Sequence, residues 1–370
     1  MSAAVQPASS AGGARLQALR AEMARLELAA YVVPHEDEYR NEYLPPANER
    51  LAWLSGFTGS AGAAVVLRDR AAVFVDGRYT LQAQRQVDTA HIDILPLDDE
   101  SAARYVEAGL KKGERVGFDP RLHSPRGMAA LRGAAFRAGG ELQVVERNLV
   151  DAIWTGRPPL QRHAVEPQPL EFSGEASADK RARIAAQLAH SGLDALVIGA
   201  PTSFAWLFNV RGRDAPHTPL VLGRAIVHRD GRAELFVDAT VCTDTLRDWL
   251  GSDVALRPEH AFAEALAVFA GRRVLVDGDQ SSAWMVDLLR KSRADIEFGS
   301  DPCILPRACK NAAEIAGTRR AHRRDGLALS RFLYWFEQQK QARAPADWPD
   351  ELELATTLQG FRVATGLWLD

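Results

Sequence analysis

The sequence holds 370 residues, 46% of them hydrophobic and 25% charged, with a formal net charge of −3. That is the composition of a soluble globular protein too long for one ordinary core, and two or three domains are expected. The charge gives no reason to expect nucleic acid or an anionic membrane as partner, and the excess of Arg over Lys (39 against 6) reads as genome composition.

Residues 1–14 lack the basic start and apolar run of a signal peptide and are expected to be a disordered lead-in. Leu16, Leu19, Met23 and Leu26 then recur at helical spacing and open a first domain, 15–154. Buried strands are expected at Ala29–Val33, Ala63–Leu67, Ala72–Val75, Val116–Phe118 and Leu142–Val145, with helices near 80–87, 101–111 and 125–138. This alternation predicts an α/β layer architecture with a parallel or a mixed sheet. Pro158, Pro159, Pro167 and Pro169, with Gly156 and Gly174, mark a linker over 155–176.

A second domain, 177–303, repeats the grammar of the first. A helix near 178–191 leads into Asp194–Ile198. Ala30–Val33, Ala52-Trp53-Leu54, Phe74-Val75-Asp76 and the run ending at Asp119 have counterparts in the same order. These are Ala195–Ile198, Ala205-Trp206-Leu207, Phe236-Val237-Asp238 and the run ending at Asp277, at offsets of 153 to 165 residues. Four ordered landmarks argue for a duplicated domain, and the period is far too long for a solenoid. From residue 304 a third region holds two amphipathic helices and no evident strand. One carries Leu329, Phe332, Leu333 and Phe336, and the other starts at Pro349-Asp350-Glu351. Two such helices bury little by themselves, so 304–370 reads as the front edge of a larger domain.

Cys242, Cys303 and Cys309 show no metal-binding spacing and fit a reducing compartment, so a cytoplasmic location is expected. No segment approaches 18 consecutive apolar residues. The run Gly56-Phe57-Thr58-Gly59-Ser60-Ala61-Gly62 lacks the Lys-Ser/Thr ending of a phosphate loop and reads as a tight turn into a strand. His35-Glu36-Asp37-Glu38 are four consecutive polar residues that cannot easily converge on one ion. His322 and Asp325 share a helix face, which is a lone pair and no binuclear site. Arg78, in Asp76-Gly77-Arg78-Tyr79, sits at a strand end. Its guanidinium there either donates to a peptide carbonyl or carboxylate, or is tied up by Asp76. Arg211, Asp214 and His217 form a second polar cluster in which an Arg211–Asp214 pair fixes the loop and His217 is a weaker candidate for contact with a ligand. Trp53 and Trp206 read as packing residues.

The run Leu54–Gly62 followed by Phe74-Val75-Asp76-Gly77-Arg78-Tyr79 resembles the N-terminal signature of the Xaa-Pro aminopeptidases (aminopeptidase P), in the creatinase/prolidase group of metallopeptidase family M24. Ala205–Gly212 with Asp214, Pro216, His217 and Pro219 is similar to the second domain of that family. Ala321-His322-Arg323-Arg324-Asp325-Gly326 and Glu351–Arg362 look like the first two helices of its peptidase domain. The resemblance implies two related creatinase-type α/β domains, each a mixed sheet with flanking helices, then the incomplete helical start of a "pita-bread" peptidase domain. It implies removal of an N-terminal residue preceding proline from proline-containing peptides. In the family, two metal ions, usually manganese, are held by two Asp, one His and two Glu, and a bridging hydroxide attacks the carbonyl. Those five ligands have no counterpart here, so no catalytic residue and no metal ligand is assigned, and the chain is expected to be a fragment that is inactive alone. The resemblance associates Arg78 with peptide binding, places His217 second, and leaves a homodimer of a full-length form open. The alternative is a non-catalytic creatinase-type module that binds peptides or proteins.

Overall fold

The structure, a computed structural model, describes residues 11–368. Residues 1–10 of the expected lead-in lie outside the described residues, whereas Ala11–Ala14 are already helical. They open α1 (Ala11–Arg25), which places Leu16, Leu19 and Met23 in the core.

The first half of the chain continues with β1 (Leu28–Pro34), α2 (Arg50–Ser55), β2 (Gly62–Leu67), β3 (Ala71–Val75) and α3 (Thr80–Gln86). It ends with β4 (Asp93–Pro96), α4 (Ser101–Gly109), β5 (Arg115–Phe118), α5 (Pro125–Arg137), β6 (Glu141–Val144) and α6 (Leu149–Ile153). The six strands form one mixed sheet in the order β4-β3-β2-β1-β5-β6, in which only β2 runs against the rest. β1 is buried along its whole length because helices cover both faces. Tyr31 and Val33 face a core with α1, α2 and α6, while Ala30 and Val32 face the opposite core with α4 and α5. Gly117 lies opposite Tyr31 on β5, where a Cβ would meet Leu28 at 2.5 Å and Tyr31 at 3.1 Å. The small residue makes room for the ring, whose hydroxyl accepts the Leu149 N–H at 3.3 Å.

The expected linker is partly structured. Its residues include β7 (Glu166–Pro167) and α7 (Leu170–Ser173). The second half then runs α8 (Ser177–His190), β8 (Ala195–Ile198), α9 (Pro201–Phe208), β9 (Val210–Arg211), β10 (Arg224–His228) and β11 (Ala233–Val237). α10 (Asp244–Leu250), β12 (Val254–Pro258), α11 (Phe262–Ala267), β13 (Arg273–Val276), α12 (Ala283–Lys291) and β14 (Asp295–Phe298) follow. β7 pairs with β9. The main sheet has the order β12-β11-β10-β8-β13-β14, which is the first sheet's order strand for strand. The duplication read from four landmarks is therefore present as topology.

Local devices repeat as well. Asp76 and Asp238 each end the third strand of their repeat and accept the backbone N–H two residues on, from Arg78 and Thr240. Asp119 and Asp277 do the same after the fifth strand, and Ser124 and Ser282 cap the helices that follow. Trp53 and Trp206 sit on α2 and α9. Trp206 is buried, while Trp53 is half-buried and stacks on Trp154 at 5.3 Å.

The two repeats form one compact unit, reaching Pro167 and resuming from Ser177 to Ile304. The first turn of α12 takes its partners from the first repeat, with Ala283 N–H donating to the His123 carbonyl at 2.7 Å and Trp284 N–H to that of Pro120 at 2.9 Å. A second compact unit comprises 168–176 and the chain from 305 onward. In it α13 (Ile304–Ala308) leads to α14 (Ala312–Ala342), opened by a capping box between Asn311 and Glu314, and α15 (Glu351–Val363) is capped by Asp350. Arg362 reaches Asp325 at 2.6 Å. Both expected amphipathic helices are present, yet Leu329, Leu333, Tyr334 and Leu352 are exposed. Among the described residues no helix is long and apolar enough to cross a membrane.

Candidate functional site

Because only β2 is reversed in the first sheet, the carboxyl ends of β1, β3, β4 and β5 and the entry to β2 meet at one edge, where an open α/β sheet presents its ligand-binding loops. The loop after β1 is organised by Asp37. Its buried carboxylate accepts N–H bonds from Tyr39 N (3.0 Å), Asn41 N (3.1 Å), Asn41 Nδ2 (3.3 Å) and Asn48 Nδ2 (3.0 Å). Burial pushes this carboxyl above its ordinary range, and the N–H bonds pull against it. With its base fixed this way, the loop presents Glu42 and Tyr43 to solvent.

Arg78 stands at the end of β3, its side chain 65% exposed. Its Nε donates to Asp76 Oδ1 at 2.8 Å, and the guanidinium carbon lies 5.2 Å from the Tyr79 ring centroid. The Arg78 backbone N–H, and after it the side chain, hold the Asp76 carboxyl below the usual range. The ion pair weighed from the sequence is thus present, and it engages the guanidinium through Nε. The Tyr79 hydroxyl is 2.9 Å from Ser60 Oγ, which donates to Glu42 Oε1 at 3.3 Å. Next to Glu42, Tyr43 meets the ring of His217 edge-on at 5.8 Å. Arg78 and His217, 139 positions apart (217 less 78), lie at the two ends of one strip made of half-buried Tyr79 and Ser60 and exposed Glu42 and Tyr43.

His217 reaches the strip from the second repeat. It is exposed and left-handed (φ 57°), in a short turn closed by an Ala215–Thr218 bridge. The base of that turn is Asp214, which accepts the N–H of His163 and of Leu222 at 2.9 Å each and lies 3.9 Å from Arg162. Arg211 donates to the carbonyls of Ala205 and Val210. The repeats are held in register beneath the strip by Arg224. It donates to Glu259 at 3.1 Å and to the Glu38 carbonyl at 3.1 Å and lies over the Tyr39 ring at 4.5 Å. Ser60 stands in the Gly56–Gly62 run without a ligand role, and Glu42 and Tyr43 enter the site only through the loop after β1. The signal that marks them is Asp37 with Asn41 and Asn48, a carboxylate and two amides spaced to tie a loop.

The polar runs that invite a metal reading are spent otherwise. His35 Nε2 bonds the Glu42 carbonyl, Glu36 pairs with Arg40, and Glu38 pairs with Arg50. His322 Nδ1 bonds the Thr318 carbonyl and Asp325 holds Arg362. Among the described residues no group of three or more His, Cys, Asp or Glu is placed to hold a metal ion.

Profiles described as Creatinase/Prolidase N-terminal domain match residues 15–151 and residues 156–314. The probable Xaa-Pro aminopeptidase P of Coccidioides posadasii (strain C735) is 35% identical over 341 residues, covering 88% of this chain and 52% of its own length. That of Aspergillus niger is 32% identical over 363 residues, covering 94% and 58%. The crystal structure of X-prolyl aminopeptidase from Caenorhabditis elegans, a cytosolic enzyme with a di-nuclear active site, is similar in fold. It has a TM-score of 0.88 at 24% identity and covers 96% of this chain and 60% of its own. The chain spans about half the length of the curated relatives it matches, 52% and 58% in these two cases.

Proposed function

Because this chain belongs to the creatinase/prolidase group, with one N-terminal domain of that group in each half, we propose that it supplies the substrate-holding part of an Xaa-Pro aminopeptidase. The observation that carries this reading is the strip from Arg78 to His217, to which the two repeats each contribute one end. An Xaa-Pro peptide lacks the N–H at proline and offers mainly carbonyl oxygens and termini. A largely exposed guanidinium, engaged by Asp76 through Nε, is suited to such acceptors, because it can donate two parallel bonds. Tyr43 and His217 add an aromatic edge against which an apolar ring can lie.

In the family reading, two metal ions, manganese by the sequence resemblance, supply the hydroxide that cleaves the Xaa–Pro bond. The described residues do not fit such a group, since no three donors converge. No step of hydrolysis is therefore assigned to these residues, and the chain of 370 residues is proposed to be inactive alone. The region from 305 onward, with α14 and α15, is proposed as the helical start of the peptidase domain. A cytoplasmic setting, proline-containing peptide substrates and a dimeric full-length form belong to the same proposal. A non-catalytic binding module is not favoured by relatives that are named as aminopeptidases.

The test uses a form of this chain extended to the length of its relatives. Arg78→Ala should lower kcat/KM about ten- to a hundredfold, the loss of one charge-assisted contact, with metal content unchanged. Arg78→Lys should rescue only part of that loss, because an ammonium cannot make the paired contact. Unchanged activity per folded molecule with a lower Tm would make Arg78 a structural partner of Asp76 and defeat the assignment.

A further inference from the structure

The segment 158–165 between the repeats belongs to no helix or strand, yet it is tied at both ends. At its start Arg157 donates to the Ala47 carbonyl at 2.7 Å and pairs with Asp151 at 2.8 Å, both in the first repeat. At its end Val165 is buried in the core of the second repeat, and β7 pairs antiparallel with β9, Glu166 opposite Arg211. Continued for three residues, that register brings His163 opposite Asp214, and the Asp214 carboxylate accepts the His163 N–H. The segment is a strap across the seam between the repeats.

Arg162 lies within this strap, its side chain only 11% exposed. Its Nη2 donates to Glu259 Oε2 at 2.8 Å and to the Tyr39 hydroxyl at 3.3 Å, and its Nη1 donates to the Leu222 carbonyl at 3.4 Å. Asp214 and Asp238 each approach it to 3.9 Å. Burying a guanidinium is costly unless acceptors surround it, and a plain tether would leave it in water. The acceptors here come from both sides of the candidate site. Tyr39 belongs to the loop after β1, two residues beyond Asp37 and three before Glu42. Asp214 and Leu222 flank the turn that carries His217. Arg224 also reaches Tyr39 and Glu259, and the bond to the base of the His217 turn is what Arg162 adds.

We propose that Arg162 is a positioning residue, which braces the turn bearing His217 against the loop bearing Glu42 and Tyr43 so that the strip is formed before a peptide arrives. The edge-on contact of Tyr43 with His217 at 5.8 Å is the product of that bracing. A surface assembled beforehand costs its ligand less ordering, so the bracing acts on binding and not on bond cleavage. Its bearing on peptide binding rests on the assignment of the strip as a substrate-holding surface.

The test compares Arg162→Met, Arg162→Lys and Lys180→Met. The last removes a buried cation whose partners, Trp206 and Asn209, lie outside both loops, and so controls for a general loss of stability. The first readout is the nuclear Overhauser effect between the Tyr43 and His217 rings, in the 370-residue chain deuterated except for its Tyr and His rings. It is expected to vanish in Arg162→Met, to weaken in Arg162→Lys, whose ammonium lacks the fork that spans both loops, and to persist in Lys180→Met. The second readout uses the form extended to the length of the relatives. Arg162→Met should raise KM for an Xaa-Pro peptide about fivefold and leave kcat within about twofold, with Arg162→Lys between it and the wild type. A ring contact kept in Arg162→Met overturns the proposal, as does its loss in Lys180→Met or an unchanged KM. Should Arg162→Met not fold, an undiminished contact in Arg162→Lys is equally decisive against it. A silent Arg78→Ala beside a lost ring contact would instead sink the substrate assignment and leave the bracing standing.

Discussion

Lys180 and Arg15 do the same job in the two repeats under different burial. Lys180 on α8 is 2% exposed, donates to the Trp206 carbonyl at 2.9 Å and to Asn209 Oδ1 at 2.7 Å, and lies 4.4 Å from the Trp206 ring. Arg15 on α1 donates to the Trp53 carbonyl and lies 4.9 Å from the Trp53 ring, but it is only half-buried. Each cation satisfies a carbonyl at the end of its repeat's second helix. Lys180→Met removes the charge-assisted bonds to the Trp206 carbonyl and Asn209 Oδ1 from a buried site and should cost about 1.5–3 kcal/mol, lowering Tm by about 2–4 °C for each kcal/mol. Arg15→Met, whose acceptor can turn to water, should give a clearly smaller drop in the same thermal melt. A second residue-level prediction concerns His123, whose pKa is depressed by burial. Between its folded value and an unfolded value of about 6.5, the unfolded chain binds more protons, so stability contributed by the neutral ring is lost as pH falls. The stability advantage of the wild type over His123→Phe should therefore shrink from pH 7.5 to pH 5 in urea unfolding. A constant or growing advantage would mean that the ring titrates normally.

At the scale of elements, the glycines of the first motif divide into two kinds. Gly56 ends α2 in the left-handed region (φ 82°), and a Cβ there would lie 2.6 Å from the Gln86 carbonyl oxygen. Gly77, beside Arg78, has nothing within 4 Å of such an atom and no positive φ. Gly56→Ala should cost about 1–3 kcal/mol, while Gly77→Ala should fall within about 0.5 kcal/mol, both read by denaturant midpoint. The inner strands were legible from sequence because β1, β2, β3, β5, β8 and β11 are covered on both faces and read as apolar runs. The edges were not. β4 and β14 pass in and out of solvent with Asp93 and Asp295 at their starts, and their sequences look like loop. The Gly/Pro segment 155–176 was read as linker, but β7 within it pairs with β9, a contact whose partner lies more than 40 positions away.

For the molecule as a whole, the bonds from α12 to the first repeat and the Arg224–Glu259–Tyr39 cluster join the repeats into one unit. Its two halves should unfold together, and Arg224→Met should lower the transition of both, read by hydrogen exchange at β1 and β8. Protection lost in one half alone would show that the repeats are energetically separate. The chain by itself should retain no stoichiometric manganese after dialysis and release no residue from an Xaa-Pro peptide. Elemental analysis showing two ions per chain would overturn this, because the described residues place no three donors together.

The sequence alone determined the α/β class, the duplication and the family, because buried strands, cap residues and tight-turn glycines are local demands that leave local marks. It also marked Arg78 and His217, each from its own loop. Only the tertiary structure decided that these two share one strip, that Asp37 ties the loop between them, and that the His123 ring is buried. The reason is physical. Which strand is reversed, and which residues then meet at the sheet's carboxyl edge, depends on pairing between β1, β2 and β5, whose partners lie as many as 87 positions apart (Leu28 and Arg115) and are brought together by burial.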